Sequence, residues 1–123
     1  MTTAQPAALQ ITETEWQAQV VELAHALGWQ HLHVRRTVGR GRKWVTATNL
    51  EGWPDLTLIR PTANHDGEII FAELKSEKGR LDPKQAEVHQ LLARAGHEVY
   101  VWRPSDLEAV RDRLAAWRTR SAR

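Results

Sequence analysis

The sequence predicts an α/β fold: a mixed central sheet flanked by helices, with one more helix at the C-terminal end. Three observations predict it. Apolar residues recur at helical spacing in three stretches, beginning at Thr12, Asp82 and Ser105. Between the first two stretches lie short apolar runs bounded by Gly and Pro, the pattern of strands. Two of these runs, 55–60 and 68–75, are close enough for an antiparallel hairpin, whereas the run 98–102 follows a helix directly and is placed to pair in parallel.

The 123 residues suit one domain with one modest core, and 41% hydrophobic and 26% charged residues are ordinary for a globular chain. The net charge of +2 is a weak argument for a nucleic-acid partner, so the clustering of charge has to decide. The absence of cysteine excludes disulfides, thiol catalysis and thiolate metal sites, and it fits a reducing compartment. No apolar run approaches membrane-spanning length, and the first residues lack a basic-then-apolar signal. The expectation is a soluble, intracellular (cytoplasmic) protein with no membrane partner. Residues 1–11 read as a loose leader, 12–120 as a single domain and 121–123 as a tail.

In order, Trp16, Val20, Leu23, Ala24 and Leu27 form one helical stripe, and Gly28 ends it. Thr12 and Glu15 have capping-box spacing, so Glu15 is read either as a cap or as an acid of a site. Residues 30–38 alternate as a strand. His31 and His33 on it are read as a polar edge or, less simply, as metal ligands. The next segment carries Arg35, Arg36, Arg40, Arg42 and Lys43 around Gly39 and Gly41. Forked donors on a glycine-rich loop suit phosphate contact, and a solvated turn is the plain alternative. Trp44 is read as core. Beyond the hairpin, Asp82 and Pro83 begin a helix that ends at Gly96, and Gln85 has capping-box spacing to Asp82. His89 on that helix reads as a surface or packing residue. Ser105 and Glu108 suggest a third capping box, before a last helix with the stripe Leu107, Val110, Leu114, Trp117. Arg111, Arg113, Arg118 and Arg120 lie on its other face.

The residues with chemistry cluster on the hairpin. Glu73 and Lys75 are two apart on a strand and project together, with Leu74 turned the other way. Antiparallel pairing brings Asp55 to the same end. Singly, Asp55 reads as an Asx turn or cap and Glu73 with Lys75 as an ion pair. All three at one end of one hairpin make the plain readings less favoured than a site for phosphodiester cleavage, in which two carboxylates hold a divalent cation and an ammonium serves the attacking water and the phosphate charge.

With Gly52-Trp53-Pro54-Asp55-Leu56, Phe71-Ala72-Glu73-Leu74-Lys75, Leu81-Asp82-Pro83-Lys84-Gln85, Ala95-Gly96-His97 and Val101-Trp102-Arg103-Pro104 in this order, the chain resembles the VRR-NUC (virus-type replication-repair nuclease) family of the PD-(D/E)XK superfamily. The resemblance covers roughly residues 12–107. It implies a restriction-endonuclease-like αβββαβ core and a Mg²⁺- or Mn²⁺-dependent endodeoxyribonuclease. It implies Asp55, Glu73 and the backbone carbonyl of Leu74 as metal ligands, and an acid of the first helix completing the shell directly or through water. Glu13, Glu15 and Glu22 compete for that place; Glu15 is chosen on the family's context. Lys75 would orient or deprotonate the water, or stabilise the transition state, and Gln85 would position Lys75 or the phosphate. The resemblance further implies branched DNA such as four-way (Holliday) junctions, a role in DNA repair, a homodimer, and a virus-encoded protein acting in a host cell as one source. The alternatives are a non-catalytic nucleic-acid-binding module using the Arg35–Lys43 loop and a plain structural domain.

Overall fold

The computed structural model describes residues 7–34, 36–38, 44–46, 51–62 and 66–117. In chain order the elements are α1 (Ala7–Gln10), α2 (Glu13–Ala26), β1 (Gln30–His33), β2 (Arg36–Val38), β3 (Trp44–Thr46), β4 (Leu56–Pro61), β5 (Gly67–Leu74), α3 (Pro83–Arg94), β6 (Glu98–Trp102), a 3₁₀ turn (Pro104–Asp106) and α4 (Leu107–Ala115). The main sheet has the order β1-β4-β5-β6. β1, β4 and β5 are antiparallel neighbours, and β6 lies parallel to β5. Leaving aside β2 and β3, which pair with each other, the order is the expected αβββαβ core with a C-terminal helix. Among the described residues, no helix is long and apolar enough to cross a membrane.

Strand parity divides the core. Leu56 and Leu58 on β4, Ile70, Ala72 and Leu74 on β5, and Trp102 on β6 pack against Trp16, Val20 and Ala24 of α2 and Val110 and Leu114 of α4. Two buried indoles tie the helices to the sheet by more than apolar area. Trp16 Nε1 donates to the Trp102 carbonyl at 2.9 Å, and Trp29 Nε1 donates to the Leu114 carbonyl at 3.0 Å. The alternate residues, Phe71 and Glu73, face the other side, where Trp53 and His97 meet the Phe71 ring edge-on and α3 meets Glu73.

Several local expectations are revised. The end of the supposed leader is ordered: residues 7–10 form a helical turn, and Ile11 packs on the core. The expected strand over 30–38 divides. Val34 still donates its N–H to the Asp55 carbonyl at 2.8 Å, and Arg36–Val38 pairs with Trp44–Thr46 instead. The third capping box does not form. The Ser105 N–H donates to the Glu77 carboxylate at 3.0 Å, and the Asp106 carboxylate accepts from the Arg103 N–H at 2.8 Å, closing a 3₁₀ turn before α4.

Arg113, placed by sequence on the outer face of the last helix, turns inward to Glu68 at 2.9 Å and Glu98 at 2.8 Å. Burial opposes ionisation of Glu68, but hydrogen bonds from Arg113 and Arg60 outweigh it and hold the carboxyl below its ordinary value. Arg60 is itself buried. It donates to the Leu114 carbonyl at 2.8 Å and to the carbonyl of Ala116, and its guanidinium lies between the Trp29 and Trp117 rings at 4.3 and 4.1 Å. Trp117 thus follows α4 as a lid on Arg60 rather than as part of the helical stripe. Arg60→Ala takes one of the two guanidinium partners from Glu68, leaving Arg113, and empties this stack; it is expected to cost about 1–3 kcal/mol of stability, read as a lower urea midpoint with an unchanged slope.

Candidate active site

The hairpin register places the acids. Leu56 pairs with Ala72 and Pro61 with Gly67, so Asp55 enters one step before the first pair, on the parity of Thr57 and therefore of Glu73. Asp55 is held on both sides. Its carbonyl takes the Val34 N–H, and its side-chain Oδ2 takes the Leu74 N–H at 3.2 Å. Leu74 buries its side chain in the core while its N–H orients the Asp55 carboxyl.

The electrostatics are those of two carboxyls forced together. Burial, and then the adjacent Glu73 carboxyl, push the Asp55 pKa up to about 7; the Leu74 N–H and the Lys75 charge pull the other way without prevailing. Near neutral pH the pair holds a shared proton. Glu73 is only 1% exposed, and Lys75 Nζ stands 4.0 Å from its Oε2. The expected same-face pair is therefore present as a charge contact, with the ammonium beyond hydrogen-bonding range.

The start of α3 supplies the fourth side. Asp82 and Gln85 form the expected capping box: the Gln85 N–H donates to Asp82 at 2.9 Å, and Gln85 Oε1 accepts from the Asp82 N–H at 3.0 Å. Gln85 is thus a cap as read, and its Nε2 also donates to Glu73 Oε2 at 3.1 Å. His89, one turn further, is buried with Nε2 3.7 Å from Glu73 Oε1, and burial holds its pKa below the ordinary value. Sequence reasoning placed His89 at the surface or in packing. The signal was available, since positions 85 and 89 share a helix face.

Asp55, Glu73, Lys75 and Gln85 form the floor of an open cleft of about 710 Å³. Glu13, Thr14, Gln17, Ala18 and Val21 of α2 make one wall, and His31, His33 and Val34 make another. Glu15 is not brought into it. Its carboxylate accepts from the Thr12 N–H at 3.2 Å while the Thr12 hydroxyl accepts from the Glu15 N–H, so the residue is a fully exposed cap. Glu13 lines the cleft in its place, whereas Glu22 is exposed and is not part of the lining. His31 and His33 line the wall, and His31 Nδ1 lies 2.7 Å from His25 Nε2. Among the described residues, no group of three or more His, Asp or Glu side chains is arranged to hold a metal ion. Of the basic segment, Arg35, Arg40, Arg42 and Lys43 lie outside the described residues, as do Arg118 and Arg120, and Arg36 enters only as backbone of β2.

No curated protein and no solved structure matches the chain. The family model of the VRR-NUC domain matches residues 4–106, a span that holds every group on the cleft floor. The chain therefore belongs to the VRR-NUC family, a family of nucleases.

Proposed function

We propose that the protein is a divalent-metal-dependent DNA endonuclease that acts on branched DNA. The observation that carries this reading is the convergence of Asp55 and Glu73 beside Lys75, with Asp55 pushed to about 7 by burial and by its neighbour. A protein that gains nothing from two abutting carboxyls has no reason to keep them there. The donor set fits a hard cation: carboxylate oxygens converge, and Mg²⁺ keeps several waters, so two acids suffice. Asp55 and Glu73 would hold the ion, with the Leu74 carbonyl and, in place of Glu15, the cleft-lining Glu13 as further oxygens. A bound Mg²⁺ or Mn²⁺ supplies the positive charge that polarises the scissile phosphate and acidifies the attacking water. Lys75 meets the phosphate and the water from the same side, steadying charge that builds during attack. Gln85 acts on Glu73 rather than on Lys75, fixing the carboxylate from behind.

Metal uptake on this reading displaces the shared proton. Mn²⁺ is therefore expected to bind more tightly as pH rises towards about 7 and to level off above it, with about tenfold per pH unit as the steepest dependence for one proton released. Calorimetry at pH 5.5, 6.5 and 8, in two buffers of different ionisation enthalpy, checks both the trend and the proton.

The preference for branched DNA and the pairing of two copies come from the family's character. Two symmetric cuts require two such sites, and a second copy of the chain would supply the second. The test is cleavage of a labelled four-way junction beside linear duplex and supercoiled plasmid, with gel filtration of the same preparation. Preferential junction cutting by a dimer supports the reading. Equal cutting of all three substrates contradicts the structural selectivity, and binding without cutting in either metal favours the non-catalytic module.

A further inference from the structure

Among the described residues, the buried polar side chains are Arg60, Glu73, Gln85 and His89. The first three have clear tasks; His89 has none so far. Its Nε2 is buried with no hydrogen-bond partner, which costs free energy unless another state of the protein uses it. It is aimed at Glu73 Oε1, 3.7 Å away. That is too long for a hydrogen bond, yet a shift of about 1 Å closes it.

The partner oxygen and the helix make the aim specific. Gln85 is locked in one orientation, because its Oε1 is committed to the Asp82 N–H and only its amide nitrogen can face Glu73 Oε2. His89 lies four residues on, on the same helix face, against the other oxygen. Two successive turns of α3 thus address the two oxygens of one carboxylate.

We infer that His89 is a positioning residue for Glu73: with its proton on Nε2 it donates to Oε1 and, with Gln85, sets the carboxylate plane in the orientation that takes up a divalent cation. The inference rests on the metal-site reading above. Its physical basis is general, since a ligating carboxylate keeps its orientation only when hydrogen-bonded from behind, and losing such a partner weakens metal binding.

The test is a Mn²⁺ titration by calorimetry at pH 7.5 on the full chain, comparing wild type, His89→Ala, His89→Gln and Asp55→Ala, with circular dichroism confirming each fold. His89→Ala is expected to weaken Mn²⁺ binding about 10–100-fold. His89→Gln, whose amide nitrogen reaches close to the place of Nε2, is expected to recover most of it. Binding by His89→Ala at wild-type strength overturns the inference, as does equal weakness of the Ala and Gln variants, which would make His89 mere packing. If wild type takes up no Mn²⁺, or Asp55→Ala binds like wild type, the metal site fails first and the inference fails with it.

Discussion

The Asp55→Asn variant is expected to melt at a higher temperature than wild type at pH 8 and to lose nearly all of its DNA cleavage. In the unfolded chain Asp55 ionises near 3.8, and in the folded protein near 7. Between those values the folded state holds a proton that the unfolded state has released, so stability falls as pH rises through the window and stays low above it. At 1.36 kcal/mol per pH unit the loss is on the order of 4 kcal/mol. Asn keeps an oxygen for the Leu74 N–H and turns an amide donor towards Glu73, so the repulsion becomes a hydrogen bond. The gap between the variants is expected to vanish near pH 4 and to be largest at pH 8, read from thermal melts. Cleavage is expected to fall by about 10²–10³-fold or more, the scale of losing one preorganised electrostatic group. A melting difference independent of pH would contradict the account of the paired carboxyls.

Among the described glycines, Gly52→Ala is expected to be the most destabilising. Gly52 has a φ of +89°, and a Cβ there would lie 2.4 Å from the Lys84 carbonyl oxygen and 2.6 Å from its carbon, both backbone atoms at the start of α3. The close approach packs the Gly52–Asp55 turn against the cap that orients Gln85, so one glycine joins the two halves of the cleft floor. A left-handed alanine costs about 1–2 kcal/mol, and the overlap adds about 1–3 kcal/mol. Together these predict a melting temperature lower by roughly 10–20 °C. Gly96 is the internal control: its φ is +93°, but a Cβ there meets nothing within 4 Å. Gly96→Ala should therefore show the backbone cost alone, and equal losses at the two positions would refute the steric argument.

Much of the fold was legible because each element carries its own punctuation. The Thr12 and Asp82 boxes start α2 and α3 as read, and the hairpin brings Asp55 to Glu73 because an antiparallel pair of fixed parity leaves no other arrangement. The misreadings share a cause: tertiary partners that local pattern does not encode. Ser105 has capping-box spacing to Glu108, but Glu77, 28 residues earlier, takes its N–H. Arg113 looks solvent-facing beside Arg111, yet two distant acids, Glu68 and Glu98, turn it inward. Glu15 was drawn to the site by its neighbours in sequence, whereas helix phase gives the cleft wall to Glu13 and leaves Glu15 capping Thr12. His89 hid because a histidine on a polar helix face is unremarkable until the chain opposite it is known to carry Glu73.

The central claim is that Asp55, Glu73 and Lys75 form a metal-dependent cutting site. The most direct measurement is cleavage of a labelled four-way junction by wild type and Glu73→Gln in Mg²⁺, in Mn²⁺ and in chelator. The account predicts cutting by wild type in at least one metal, none in chelator, and none by Glu73→Gln although it still folds. Cutting that persists in chelator, or that survives in Glu73→Gln at the wild-type rate, would contradict it.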